Sequence, residues 1–164
     1  MRRRATWLVA AVAVLVSAGI VALSAMGAAL YWDRVQNTAQ QSTRAALGPL
    51  AEEQIPKVFG YDYQTVEGSL TDAYNLLTPD YRREFQARAT EQIIPEARER
   101  QVVSQASVVG VGVLDAQRDS GSVMVYMNRT VTDKSKEPLY DGSRLKVDYQ
   151  KVDGKWLISY ITPI

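Results

Sequence analysis

Asp62 is the carboxylate best placed for chemistry in this sequence, because it stands between Tyr61 and Tyr63. A carboxylate held among aromatic rings inside a cavity can have a raised pKa and act as a general acid or base. The same cluster more often arises where an acidic residue caps a helix while the rings pack together. Asp62 is therefore a candidate for a pocket role and the alternative is a local structural role.

Two residue types that often act in catalysis are absent, since the chain contains no Cys and no His. Thiol nucleophiles, imidazole bases, disulfides and nearly every transition-metal site are excluded. The run VGVG at residues 109–112 lacks the third Gly and the following helix of a dinucleotide fingerprint. The sequence predicts no catalytic residue, no metal site, no cofactor and no enzymatic activity.

Residues 6–32 form an uncharged apolar segment of 27 residues. As a helix it would be about 40 Å long, whereas the hydrocarbon core of a membrane is about 30 Å thick. The apolar part of a cleavable signal peptide has only about 7–15 residues, although a weak small-residue cleavage site exists at residues 25–27. An uncleaved transmembrane helix is the better interpretation.

The charges before this segment predict its orientation. The basic tail, residues 1–5, carries Arg2, Arg3 and Arg4, and positive charge stays on the cytoplasmic side. The later domain is then expected outside the cytoplasmic membrane, which makes this a single-pass protein. Aromatic residues that suit the two membrane interfaces stand at the ends of the segment: Trp7, Tyr31 and Trp32.

Four alanines recur along the apolar segment at the spacing of one helix side: Ala18, Ala22, Ala25 and Ala29. Small residues let helices approach closely in lipid. The pattern makes this side a candidate helix–helix interface, although an Ala-rich span also contains such rows by chance.

The residues after the apolar segment have the charge composition of a solvated domain. Of 19 basic residues three lie in the tail, which leaves 16 against 18 acidic residues. A net charge of −2 without a basic stripe excludes nucleic acid as a partner. Residues 33–56 are expected to be a polar juxtamembrane helix and hinge, broken at Gly48–Pro49. Residues 57–164 form the predicted external domain.

Within that domain, helical patterns precede strand patterns. A helix with one apolar side is predicted around residues 65–77, and Thr78–Pro79 marks the start of another, which Pro95 must kink or split. After Gln101 the apolar residues recur at about every second position. The expected strands are residues 108–114, 122–131, 143–152 and the segment after 154, with a loop at 133–142.

Asp153–Gly154 predicts a tight hairpin, because both central residues of such a turn need positive φ. Leu145, Val147 and Tyr149 alternate with polar residues, so they should form one buried face. The predicted register pairs Tyr149 with Ile158, Val147 with Tyr160 and Lys151 with Trp156. Together these elements predict an α+β domain with helices on one face of a four-stranded antiparallel sheet.

Four segments in this order carry a family resemblance: YDYQTVEGSL, LLTPDYRREF, IIPEARER and the terminal DGKWLISYITPI. They resemble the Mce-associated membrane proteins (Mam), accessory proteins of the mammalian-cell-entry lipid importers of actinobacterial envelopes. The resemblance covers nearly the whole chain. It implies a cystatin-like, NTF2/SnoaL-related domain and contributes no catalytic motif.

The resemblance implies that the chain is a non-catalytic accessory subunit, which stabilises or assembles a lipid importer in the cytoplasmic membrane. Its partners would be the importer's permease and Mce proteins, with membrane lipids around the helix. Two alternatives remain open. One is an envelope domain that binds a lipid or small molecule between helices and sheet, and the other is an NTF2-like enzyme using Asp62.

Overall fold

The computed structural model describes the backbone of residues 2–164 and the side chains of residues 16–28, 30–32 and 34–164. The predicted roles of the Arg2, Arg3, Arg4, Trp7 and Ala29 side chains lie outside the described residues. The chain forms two compact units, Met1–Ala39 and Gln40–Ile164. The second unit therefore begins within the predicted juxtamembrane segment, ahead of the boundary expected at residue 57.

The first helix, α1, runs without interruption from Arg2 to Phe59, so the predicted break at Gly48–Pro49 is wrong. An internal Pro costs a helix about 3 kcal/mol. Leu47, Ala51 and Ile55 are fully buried on the opposite side of this helical segment, and a buried Leu or Ile contributes about 1.5–3 kcal/mol. Pro49 is exposed, so the carbonyl that it leaves unpaired can bond to water.

Three shorter helices follow: α2 (Val66–Tyr74), α3 (Pro79–Arg88) and α4 (Ile94–Arg100). The predicted start at Thr78–Pro79 is confirmed, because Thr78 is extended and Pro79 is the first helical residue. The Thr78 hydroxyl makes no capping hydrogen bond. The predicted disturbance near Pro95 is also present, as a π-helical turn at Ala89–Ile93 that separates α3 from α4.

The sheet has five antiparallel strands in sequential order, whereas four were predicted. The additional strand is the two-residue β1, which pairs with the start of β2 and is too short to show a period in the sequence. Residues 138–142 pair with β3, so the predicted loop at 133–142 is only partly a loop. The strands are β1 (Tyr61–Asp62), β2 (Val103–Ala116), β3 (Ser120–Thr132), β4 (Pro138–Val152) and β5 (Lys155–Pro163).

The terminal hairpin confirms the predicted turn, with φ of 50° at Asp153 and 79° at Gly154. Its register is as predicted as far as the Tyr149–Ile158 pair. Beyond it a β-bulge at Ser159 shifts the strands, so Val147 pairs with Ile161 and the predicted Val147–Tyr160 pair is wrong. One extra residue on a strand leaves no trace in a period-two pattern.

The core lies between the helices and one face of the sheet. The predicted buried face of β4 is confirmed, since Leu145, Val147 and Tyr149 are each at most 3% exposed. The second half of α1 packs into the same core, and so do one side of α2 and one side of α3. The buried helical residues of this core include Leu47, Ile55, Val58, Val66, Leu70, Tyr81 and Phe85.

Candidate functional site

The first unit presents an apolar helix surface. Within the described residues, Ile20, Leu23 and Leu30 are between 60% and 72% exposed. The described part of the chain holds one helix that is long and apolar enough to cross a membrane. At its end Tyr31 and Trp32 are 70% and 64% exposed, which suits rings at a membrane interface.

Three of the four predicted interface alanines, Ala18, Ala22 and Ala25, are described, and each is exposed. At about 100° per residue they lie within one narrow sector of the helix. The nearby Ser24 hydroxyl donates to the Ile20 carbonyl at 2.8 Å, so it needs no external partner. The row of alanines is therefore a smooth surface that a neighbouring helix can approach closely.

Asp62 occupies β1, where local structure accounts for its carboxylate. Its Oδ1 accepts a hydrogen bond from the Gln64 backbone N–H at 2.8 Å. Its carbonyl accepts another from the Thr65 N–H at 3.0 Å. The residue thus closes a turn directly before α2, while Thr65 occupies the capping position of that helix.

Two shallow clefts lie on the face of the sheet that points away from the helices, and neither includes Asp62. One has a volume of about 350 Å³ and contains Lys146 and Asp148, paired at 2.8 Å. The other, of about 300 Å³, lies between Val109, Tyr126 and Arg144. The first cleft also contains serine hydroxyls, among them Ser122 and Ser159, but the Ser159 hydroxyl donates to the Asp148 backbone carbonyl at 3.1 Å and not to a carboxylate.

Buried polar atoms without hydrogen-bond partners are a feature that the sequence patterns did not indicate. Gln54 Oε1, Arg129 Nε and the Tyr149 hydroxyl are the three such side-chain atoms among the described residues. Burial raises the pKa of Tyr149 well above its usual value. Arg129 still pairs with Asp141 at 3.0 Å through another nitrogen. Because burial raises the pKa of the Tyr149 hydroxyl, this group is neutral at neutral pH.

No protein-family model matches this sequence. An uncharacterized protein of Mycobacterium tuberculosis, Rv1362c, is 28% identical over 79% of this chain and 59% of its own length. The chain thus spans somewhat more than half of that relative. The outer membrane protein Rv1973 of the same species is 26% identical over 65% of this chain and 67% of its own length.

Among solved structures, an IcmL-like type IV secretion system protein of Legionella pneumophila superposes with a TM-score of 0.63 at 12% identity, over 74% of this chain and 93% of its own. The periplasmic domain of DotI gives 0.63 at 14%, over 73% and 94%. Agrobacterium tumefaciens VirB8 gives 0.53 at 15%, over 68% and 85%. At such identities the likeness is one of fold: an α+β domain that these three proteins share with the present chain.

Proposed function

We propose that this chain is a non-catalytic accessory subunit of a membrane-embedded lipid import complex of the Mce type. It is anchored by one transmembrane helix, with an NTF2-like domain outside the cytoplasmic membrane. Its role is to hold the permease and Mce proteins together through the helix and the external domain.

The observation that carries this proposal is the division of α1 into two halves. Side chains such as Ile20 and Leu23 are exposed in the first half, where lipid rather than water suits them. The second half, which contains Leu47 and Ile55, is buried in the core of the domain. A helix built in this way joins a membrane anchor directly to a folded domain.

The comparisons support the coarser part of the proposal, a membrane-anchored accessory protein of the cell envelope. One sequence relative is called an outer membrane protein, and one structural neighbour is the periplasmic domain of DotI. The Mce-type partners rest on the resemblance of YDYQTVEGSL and the terminal DGKWLISYITPI alone.

An enzyme of the same fold is the weaker alternative. It would use Asp62, whose carboxylate is bonded to the Gln64 N–H within a turn. The chain contains no His or Cys, and the Asp148 carboxylate in the first cleft is paired with Lys146. A binding domain for lipid would use the space between helices and sheet, where Leu70, Val125 and Ile158 are almost fully buried.

The proposal is tested by purifying the tagged full-length chain from native membranes in a mild detergent, followed by mass spectrometry. We expect importer permease and Mce proteins to be recovered with it. Isolation of the chain with no importer subunit, under conditions that keep the importer itself intact, would refute the proposal.

A pair of matched variants tests the helix surface. Ala22→Leu places a Leu side chain on the alanine row, and Gly27→Leu places one on the opposite side of the helix, about two and a half turns after Ala18. Gly27 has free space around it in the described structure. We expect Ala22→Leu to reduce co-purification at least severalfold and Gly27→Leu to leave it unchanged. Equal effects of both would contradict an interface at the alanine row.

A further inference from the structure

The two edges of the sheet are protected very differently. At β5, the Leu76–Thr78 segment pairs with the middle of the strand: the Thr78 N–H donates to the Ile158 carbonyl at 2.9 Å, and the Ile158 N–H donates to the Leu76 carbonyl at 2.8 Å. Lys155 and Pro163 stand at the ends of this strand. Charge, Pro and a covering segment are the usual means by which proteins prevent an edge from pairing with another chain.

At the other edge, β1 covers only Val103 and Ser104 of β2. Within the described part of the chain, no strand pairs with residues 105–116 on that side. This stretch contains no Pro and no charge before Asp115. A long, uncharged edge strand rich in Val is a template for pairing with another strand.

The direction of the unpaired backbone groups follows from the ladder. The Tyr63 N–H bonds to the Val102 carbonyl, so Val102 points its backbone groups away from β3, and so does every second residue after it. A bulge at Val109 shifts this alternation by one residue. Between residues 105 and 113, the groups that point outward and have no backbone partner in the described structure are those of Ala106, Val108, Val111 and Val113. A second bulge, at Leu114, ends this stretch.

We propose that two copies of this chain pair antiparallel along β2, around a two-fold axis between Val109 and Gly110. In this register Ala106 faces Val113 of the other copy and Val108 faces Val111. All four residues point their free backbone groups at the partner, so each facing pair can exchange hydrogen bonds. The inference does not depend on the proposed function.

Two features favour a second copy over a foreign strand. The stretch from Gln105 to Leu114 is uncharged, so antiparallel self-pairing places no like charges opposite one another. The bulge lies beside the two-fold axis, so the two regular stretches, residues 105–108 and 110–113, face each other across the interface. Pairing would also cover Val108, Val111 and Val113, which are half-buried at the open edge of the core.

Cysteine cross-linking tests the register, and the chain has no native Cys to interfere. Ser107 and Gly112 are exposed and would face each other across the two copies. The Ser107→Cys/Gly112→Cys double variant of the full chain, reconstituted alone in liposomes and oxidised, should give mostly disulfide-linked dimer. Facing residues lie about 5 Å apart, within disulfide reach, whereas each single variant separates its two thiols by about 17 Å.

Absence of dimer in the double variant would overturn the proposal, and so would equal cross-linking in either single variant. In native membranes, a double variant whose introduced thiols cross-link to another protein without any homodimer would also overturn it. Val109→Lys adds two like charges beside the axis and should weaken dimerisation roughly fivefold. Tyr140→Lys, at a residue 76% exposed on β4, is the matched control and should have no effect.

Discussion

The two halves of α1 both carry large apolar side chains, and their surroundings are opposite. Leu23 in the first half is 72% exposed, whereas Leu47 in the second half is fully buried. Both stretches are helical and belong to one element. Their difference shows that helix formation alone does not decide what an apolar side chain contacts; neighbouring charges and the available sheet decide it.

The second half is amphipathic in a way that the first is not. Leu47, Ala51 and Ile55 recur at every fourth residue on the buried side, while Glu52 and Glu53 stand on the exposed side. In the first half, no charge interrupts residues 6–32. An all-round apolar helix suits lipid, and a one-sided helix suits a protein core.

The largest expected effect comes from breaking the buried half. Leu47→Ala should lower the free energy of unfolding of the domain by about 2–5 kcal/mol, because it leaves a cavity in a packed core. Leu23→Ala should leave that free energy unchanged within about 0.5 kcal/mol. Hydrogen exchange of the sheet amides in the full-length chain in micelles measures both. Similar losses in the two variants would contradict the division of the helix.

High pH should weaken the core that holds the second half. Burial raises the pKa of Tyr149, so the folded domain keeps this proton more tightly than the unfolded chain does. The stability that this protonated Tyr149 adds to the folded state is fully present below pH ~10, the pKa of Tyr in the unfolded chain. It is lost as the pH rises towards the pKa of Tyr149 in the folded domain. Stability measured between about pH 9 and 11 should therefore fall, and the fall should be shallower in Tyr149→Phe. Tyr126→Phe, at an exposed ring on β3, is the matched control variant.

A smaller change, an increase in the free energy of unfolding, is expected where the buried half of α1 contains a polar side chain. Gln54 is 7% exposed and its Oε1 has no partner in the described structure. Gln54→Met keeps a similar volume and removes the unpaired acceptor, so unfolding should become about 1 kcal/mol less favourable. The exposed Gln41 gives the control, Gln41→Met, which should change little. A loss of stability in Gln54→Met would mean that its amide makes a necessary contact.

The smallest effect is expected at the position where the helix was predicted to break. Gly48 lies inside α1 with no atom near the place of a Cβ. Gly48→Ala should stabilise the domain by roughly 0.5–1 kcal/mol, because Ala loses less backbone entropy in a helix. Gly154→Ala should have the opposite sign, since φ is 79° there. Chemical denaturation with both variants checks the pair, and destabilisation by Gly48→Ala would indicate a strained helix at Pro49.

Local sequence signals predicted those elements whose geometry depends on near neighbours. The turn at Asp153–Gly154 requires positive φ. The helix start at Thr78–Pro79 depends on the proline ring, which fixes the φ of the first helical residue. The period of two in β4 predicted its buried face. The two-residue β1 and the bulge at Ser159 could not be predicted, because each depends on pairing with a distant strand.

The sequence by itself determined an apolar helix at the N-terminus, helices before strands, and a chain without Cys or His. Only the tertiary structure decided that residues 40–59 belong to the domain. Gly121 illustrates the reason: a Cβ there would lie 2.5 Å from the Leu47 side chain. The helix continues through Pro49 because the sheet gives Leu47 and Ile55 a surface to pack against, and that surface is assembled from residues far along the chain.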